Sequence, residues 1–285
     1  MAINLTDISF TERAERAADL AAARAGVLVH VLSEQHEIDA AERLLSEIWS
    51  INGQVVVPAN LMKAMLHSGN YVSGALADGQ LVGTSIGFLG RRKGSLHLHS
   101  HITGVSPALQ GRHVGFALKQ HQRAWALRNG LEEIVWTFDP LVRRNGYFNI
   151  TKLGAEIVDY KANFYGEMRD DINADDDSDR CVVLWRLASD RAADASEGRG
   201  GAQIASEAAI VVLSQNAEGG PSPSLELGEL LFAQIPDDIV SLRRSNKDQA
   251  AQWRQALREV FEWAFAEKYR VTGMTKDGGY LLSRS

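Results

Sequence analysis

Between Tyr71 and Val105 the sequence reads as three strands joined by two tight turns, and no other stretch limits the fold so strongly. Tyr71–Ala77 and Leu81–Leu89 flank Asp78-Gly79, a pair that readily takes the left-handed backbone of a two-residue hairpin. A basic turn, Arg91-Arg92-Lys93-Gly94, leads into a third strand, Ser95–Val105. Pro107 stops that strand, and Gly115–Arg128 reads as a helix ended by Asn129-Gly130. An antiparallel meander that feeds directly into a helix calls for a mixed α and β architecture.

The flanking segments agree. Thr11–Ala25 has strong helix formers but a weak apolar stripe, and Val27–Leu32 is a short apolar strand. Ile38–Trp49 carries Ile38, Leu44, Leu45, Ile48 and Trp49 at helical spacing, and Pro58-Ala59-Asn60 opens a short helix through Leu66. Downstream, Ile134–Phe138 reads as a buried strand ended by Asp139-Pro140, and Arg143–Leu153 as a helix closed by Gly154. Ala155–Tyr160 and Cys181–Leu187 are two further strands with a long acidic loop between them. Ala188–Gln203, rich in Ala, Ser, Asp and Gly, reads as a linker. Strands at Ala208–Leu213 and Leu225–Ala233 follow, then an amphipathic helix over Lys247–Tyr269 and a strand near Tyr280–Leu282. The expected division is a helical lead-in over 1–26, a main domain over 27–188, a linker over 189–203 and an α+β extension over 204–285.

Composition excludes several function classes. The 285 residues are 45% hydrophobic, enough to bury a real core, and Cys181 alone permits no internal disulfide. Its expected role is a small buried apolar residue on a strand. The net charge of -6 comes without a dense Lys/Arg run, so nucleic acid is not an expected partner. No apolar run approaches the ~20 residues of a membrane span. Met1-Ala2-Ile3-Asn4 opens without the basic and apolar regions of a signal peptide. The expectation is a cytoplasmic protein.

The segment richest in chemistry runs from Thr103 to Leu118: a strand, a Pro-containing turn, a small-residue loop and a first helical turn. A helix N-terminus presents unpaired N–H groups and partial positive charge, which attract phosphate. Gly111 and Gly115 let a ligand approach the backbone, and Arg112 adds a mobile charge. Gly and Pro alone equally mark an ordinary strand-to-helix connection.

Gln110-Gly111-Arg112-His113-Val114-Gly115 resembles the Q/R-x-x-G-x-G/A pyrophosphate-binding motif of GNAT acyltransferases, and Val105-Ser106-Pro107 matches the V-x-P that leads into it. His113 stands where that family usually has glycine. Further blocks look similar to a bacterial branch of predicted GNAT acetyltransferases with a C-terminal segment. They include Ser100-His101, Leu118-Lys119, Gln122-Arg123, Trp136 to Leu141, Asn163 to Gly166, Asp179-Arg180 and Ile235 to Asp238. The resemblance implies an α/β (α+β) fold: a mostly antiparallel, splayed mixed sheet flanked by helices, with a small C-terminal α+β appendage. It implies acetyl-CoA or another acyl-CoA as co-substrate and transfer of an acetyl or succinyl group to the primary amine of a small molecule. Some relatives in that branch are similar to amino-acid N-succinyltransferases, so an amino acid is the first acceptor to consider. The other class left open is a GNAT-like module that binds acyl-CoA without turnover. Homodimers are common among such proteins.

The same resemblance assigns candidate roles. Backbone groups around Thr103 and Val105 would hold the pantetheine arm and polarise the thioester carbonyl. Gln110, Gly111, Arg112, His113, Val114 and Gly115 would bind pyrophosphate. His97, His99 and His101 alternate along one strand and so share a face. His101 is the preferred general base, with His99 second and near the acceptor; a structural polar face and a metal site are the other readings, and no metal is expected. The tyrosine that often protonates the departing thiolate is replaced by Ile150, which leaves Tyr165 and Tyr147 as candidate acids. Asn145 and Asn149, four apart on one helix, suit the pantetheine amides or the acceptor, with helix capping the other reading of Asn145. Arg180 either pairs with Asp179 or clamps an acceptor carboxylate. The acidic loop from Asp170 to Asp177 reads as solvated rather than as a calcium loop, since it lacks the Gly and terminal Glu of an EF-hand.

Overall fold

The computed structural model describes residues 9–49, 54–166, 176–199 and 208–284. In chain order its elements are α1 (Phe10–Ala25), β1 (Leu28–Val31), α2 (Gln35–Trp49), α3 (Ala59–His67), β2 (Tyr71–Ala77), β3 (Gln80–Arg92) and β4 (Ser95–Val105). They continue with α4 (Val114–Arg128), β5 (Glu133–Phe138), α5 (Arg143–Tyr147), β6 (Glu156–Lys161), β7 (Arg180–Arg186), α6 (Asp190–Ser196) and β8 (Ile210–Gln215). The last are β9 (Pro221–Pro223), β10 (Leu230–Gln234), α7 (Ile239–Ser245), α8 (Lys247–Ala266), β11 (Tyr269–Met274) and β12 (Gly279–Arg284). Two compact units result. One is Met1–Trp136 with Arg186–Glu197, and the other is Thr137–Trp185 with Gly198–Ser285.

In the first unit the strands follow the order β1-β2-β3-β4-β5, antiparallel up to β4 and parallel between β4 and β5. Both hairpin turns have two consecutive residues with positive φ, Asp78 (49°) with Gly79 (77°) and Lys93 (48°) with Gly94 (88°). This is the geometry that matches strand twist. Arg91 and Arg92 therefore belong to β3 rather than to the turn. Alternation puts Val72 and Ile86 on one face with Ile38, Leu45 and Met62 of α2 and α3. Ala75 lies on the other face, with Val114 and Leu118 of α4. A capping box at Ser9 and Glu12 starts α1, whose buried face is Ala14, Ala17, Ala18 and Ala21. Alanine permits close helix packing without giving a strong apolar stripe, which is why that stripe is faint in the sequence.

In the second unit β6 pairs antiparallel with β7, and a five-stranded sheet runs β11-β12-β10-β8-β9. Trp253, Leu257, Val260 and Phe261 of α8 are fully buried. Phe261 meets Tyr160 and Tyr280 edge-on. At ~1.5–3 kcal/mol per large side chain, that stripe holds α8 in place.

Several elements differ from the sequence expectation. The helix expected over Arg143–Leu153 is five residues of α5 followed by a π-helical turn, Phe148–Lys152. The expected linker contains α6, capped by Ser189, with Ala192, Ala193 and Ala195 buried, and α6 packs on α1. Its residues are small because the packing is close, and that composition reads as a linker when no partner is in view. α8 ends at Ala266, Lys268 takes a left-handed φ of 69°, and the chain turns into β11, which no sequence signal marked. α7 is likewise an addition, and β10 starts at Leu230 rather than Leu225. The expectations for residues 1–8, 200–203 and the loop acids Asp170, Asp171 and Asp175 lie outside the described residues.

Candidate active site

β4 leads into a 3-10 turn at Pro107–Leu109, then Gln110, Gly111 and Arg112, and α4 begins after His113. The loop is shaped by two left-handed residues, Gly111 (φ 82°) and His113 (φ 64°). A Cβ on Gly111 would meet nothing within 4 Å, so backbone conformation, not crowding, calls for glycine there. His113 makes the same turn with a side chain, at a cost of about 1–2 kcal/mol. The His113 side chain makes no cap bond to α4. A helix N-terminus carries partial positive charge and draws an anion. Gln110, Arg112 and His113 are exposed beside this turn. A Cβ on Gly115 would lie 3.8 Å from Val105 Cγ2, which places the end of β4 against the first turn of α4.

β4 pairs with β5 only at Leu98↔Ile134 and His99↔Val135. From Ser100 to Val105 the corresponding edge of β4 has no partner strand among the described residues, while its other edge stays in register with β3. Thr103 and Val105 stand on this open edge, half-buried. An open strand edge next to a helix N-terminus can take an extended ligand arm with an anionic end.

On the face of β4 away from α4, His99 stacks on Phe88 at 4.8 Å and lies 6.5 Å from His101. The register passes from Gly87↔Ser100 to Ile86↔Ile102, so His101 is the extra residue of a β-bulge. Bulges re-aim side chains and occur beside active sites. Burial, then the neighbouring His101, His97 and Lys119, bring His99 down to about 4. Lost hydration also lowers His101. Both are neutral near pH 7, and His101 is the more solvent-accessible. His97 is buried against Gly90, where a Cβ would come within 2.7 Å of the ring, and its Nδ1 has no partner. That histidine is structural. Among the described residues no group of three or more His, Cys, Asp or Glu side chains is placed to hold a metal.

The remaining candidates belong to the second unit. Tyr165 is exposed, with its hydroxyl 3.0 Å from Thr137 Oγ1 and its ring 5.3 Å from the Arg180 guanidinium. Its loop is held because the Tyr165 N–H donates to Ser178 Oγ and the Asn163 N–H donates to Asp179 Oδ1. Asp179 pairs with Arg258, not with the Arg180 side chain, which donates to the Asp179 carbonyl. Tyr147 has Lys152 over its ring at 5.8 Å. Asn145 and Asn149 do not share an environment: the π turn intervenes, Asn145 is exposed and Asn149 is buried. Of the loop acids described, Asp176 has a buried side chain paired with Arg243 and Arg254, whereas Asp177 pairs with Arg258 and stays exposed.

One feature went unassigned in the sequence. Lys119 is buried in α4, donates to Ser100 Oγ (3.0 Å) and Gln122 Oε1 (2.8 Å), and lies 4.1 Å from the Trp136 ring centre. Desolvation lowers its amine to about 7. A lysine on a helix carries no sequence signal of burial.

Residues 38–148 match the model of the acetyltransferase (GNAT) family. Solved structures similar to the chain include a GNAT-family acetyltransferase from Streptococcus pneumoniae, with 14% identity over 55% of this chain and 98% of that one, at a TM-score of 0.47. An N-acetyltransferase from Staphylococcus aureus Mu50 has 11% identity over 56% of this chain and 98% of that one, at a TM-score of 0.45. The ribosomal-protein-S18-alanine N-acetyltransferase from Escherichia coli has 12% identity over 57% of this chain and 95% of that one, at a TM-score of 0.45. No curated protein matches the sequence significantly. No helix among the described residues is long and apolar enough to cross a membrane.

Proposed function

We propose that this chain transfers an acetyl or succinyl group from acyl-CoA to the primary amine of a small molecule, with an amino acid as the first acceptor to test. The observation that carries the reading is the N-terminus of α4 beside the open edge of β4, within residues that match the acetyltransferase family. The loop from Gln110 to Gly115 takes the pyrophosphate, and the β4 edge at Thr103 and Val105 takes the pantetheine arm. The amine attacks the thioester carbonyl, a C–N bond forms, the C–S bond breaks and CoA leaves as thiolate. His101 accepts the amine proton, and its neutral state near pH 7 suits that role. Tyr165 and Tyr147 remain the candidates for returning a proton to the thiolate, with Asn145, Asn149 and Arg180 as further ligand contacts.

The test is thiol release from acetyl-CoA and succinyl-CoA over a panel of amines led by amino acids, alongside calorimetry of acyl-CoA binding. Amine-dependent release identifies donor and acceptor together. Binding without release on any amine would replace the enzyme by an acyl-CoA-binding module, and absence of binding would remove both readings.

A further inference from the structure

A polar chain is buried between α4 and the sheet, and Lys119 sets the direction of its first links. Lys119 is a donor, so its bond to Gln122 fixes Gln122 Oε1 as acceptor. The Gln122 amide nitrogen must then be the end that donates to Ser85 Oγ, at 3.2 Å. Ser85 is fully buried, and its Oγ lies 2.8 Å from Thr103 Oγ1, a pair in which either hydroxyl can donate. In the arrangement with Ser85 as donor, Thr103 receives a hydrogen bond from behind and its own O–H is left to donate forward. Thr103 is half-buried on the stretch of β4 that has left β5. Burying three polar side chains to orient one hydroxyl is costly unless that hydroxyl has a partner.

We propose that Lys119, Gln122 and Ser85 form a positioning chain that presents the Thr103 hydroxyl as a hydrogen-bond donor to a carbonyl oxygen of the acyl-pantetheine arm. The inference rests on the acyl-CoA reading and adds to it a side-chain contact and the residues that aim it. Lys119 acts through Gln122 and Ser85, not on the ligand. Desolvation brings the Lys119 amine to about 7, with His99 the titratable group electrostatically coupled to it.

The experiment is calorimetry with acetyl-CoA and with CoA on the full chain, for the wild type, Thr103→Val, Thr103→Ser, Lys119→Met and the Thr103→Val/Lys119→Met double variant. Thr103→Val should weaken acetyl-CoA binding by about three- to tenfold, the scale of one net hydrogen bond, and Thr103→Ser should restore it. A loss seen with acetyl-CoA but not CoA places the acceptor on the thioester, and an equal loss with both places it on a pantetheine amide. Lys119→Met should give a similar loss, and the double variant no more than either single one. The pH dependence of acetyl-CoA affinity around neutrality should differ between the wild type and Lys119→Met by the part that Lys119 contributes. If the wild type binds acetyl-CoA and Thr103→Val binds it equally well, the proposal is overturned. Additive losses in the double variant would overturn the chain of positioning even if Thr103 matters. Should Lys119→Met not fold, Gln122→Met breaks the same chain without removing a charge and must show the same non-additivity. A wild type that binds neither ligand would instead refute the acyl-CoA reading itself.

Discussion

A left-handed backbone at a residue with a Cβ is a small, measurable strain, and His113 carries it at the mouth of α4. Replacing it by glycine relieves about 1–2 kcal/mol of steric cost and returns ~0.5–1 kcal/mol as unfolded-chain entropy. His113→Gly should therefore raise stability by roughly 0.5–1 kcal/mol, read as a higher melting temperature. An unchanged or lower melting temperature would mean that the imidazole contributes a stabilising interaction of its own. The histidines of β4 divide by environment in the same way. His101 sits on a bulge and is accessible, whereas His99 is stacked on Phe88 and brought to about 4, too weak a base for efficient proton transfer near pH 7. His101→Ala should lower turnover by about 10²–10⁴-fold, with little change in acyl-CoA affinity. Because burial lowers the imidazole, the wild-type rate should fall on the acid side only below the ordinary histidine range, and that limb should vanish in the variant. His99→Ala should have the smaller effect. Near-normal turnover and an unaltered pH profile in His101→Ala would leave water as the proton acceptor.

The turn from β4 into α4 works as one element, because its ligand groups are backbone N–H donors that only the whole loop can aim. Arg112 is exposed beside them. Arg112→Glu exchanges an attraction for a repulsion and should weaken CoA binding by about 1–3 kcal/mol in an otherwise intact protein; equal affinity by calorimetry would move the anion site elsewhere. Much of this element was legible in advance. Asp78-Gly79, Pro107, Gly111 and the strand Ser95–Val105 are local signals, set by backbone sterics within a few residues, and the structure has each where the sequence placed it. What the sequence did not reveal depends on partners far along the chain. Ala192, Ala193 and Ala195 form a helix because α1 offers an equally small face, and nothing near residue 190 records that. The π turn at Phe148–Lys152 adds one residue per turn and separates Asn145 from Asn149, a change to which helical spacing is blind. Lys119 and Gln122 look like ordinary surface residues of an amphipathic helix until Ser100 and Ser85 are placed beneath them.

At the scale of the molecule, Gly198–Ser285 shares one compact unit with Thr137–Trp185. Asp139 ends β5's sequence run and Asp176 precedes β7, yet both are neutralised by Arg243 of α7 and Arg254 of α8. Arg254 holds Asp139 through two hydrogen bonds of 2.8 Å, and Arg243 adds a third at 2.6 Å. All four groups are buried, so removing one leaves charge without compensation. Burial by itself would raise the Asp139 carboxyl, but Arg254 and then Arg243 outweigh it and hold it well below the usual carboxylate range. A group whose folded value is depressed adds stability that is fully present above its unfolded value, near pH 4, and that drains away as the pH falls through the folded one. The expected result for Asp139→Asn is a loss of about 3–5 kcal/mol at pH 7, the cost of breaking a buried pair, together with a flatter dependence of stability on pH below 4. Urea midpoints measured from pH 7 down to pH 2 test both parts. Parallel curves for the wild type and the variant would show that the acid sensitivity arises from other carboxylates, of which Asp179, also depressed through Arg258 and Tyr160 despite its burial, is the next to replace.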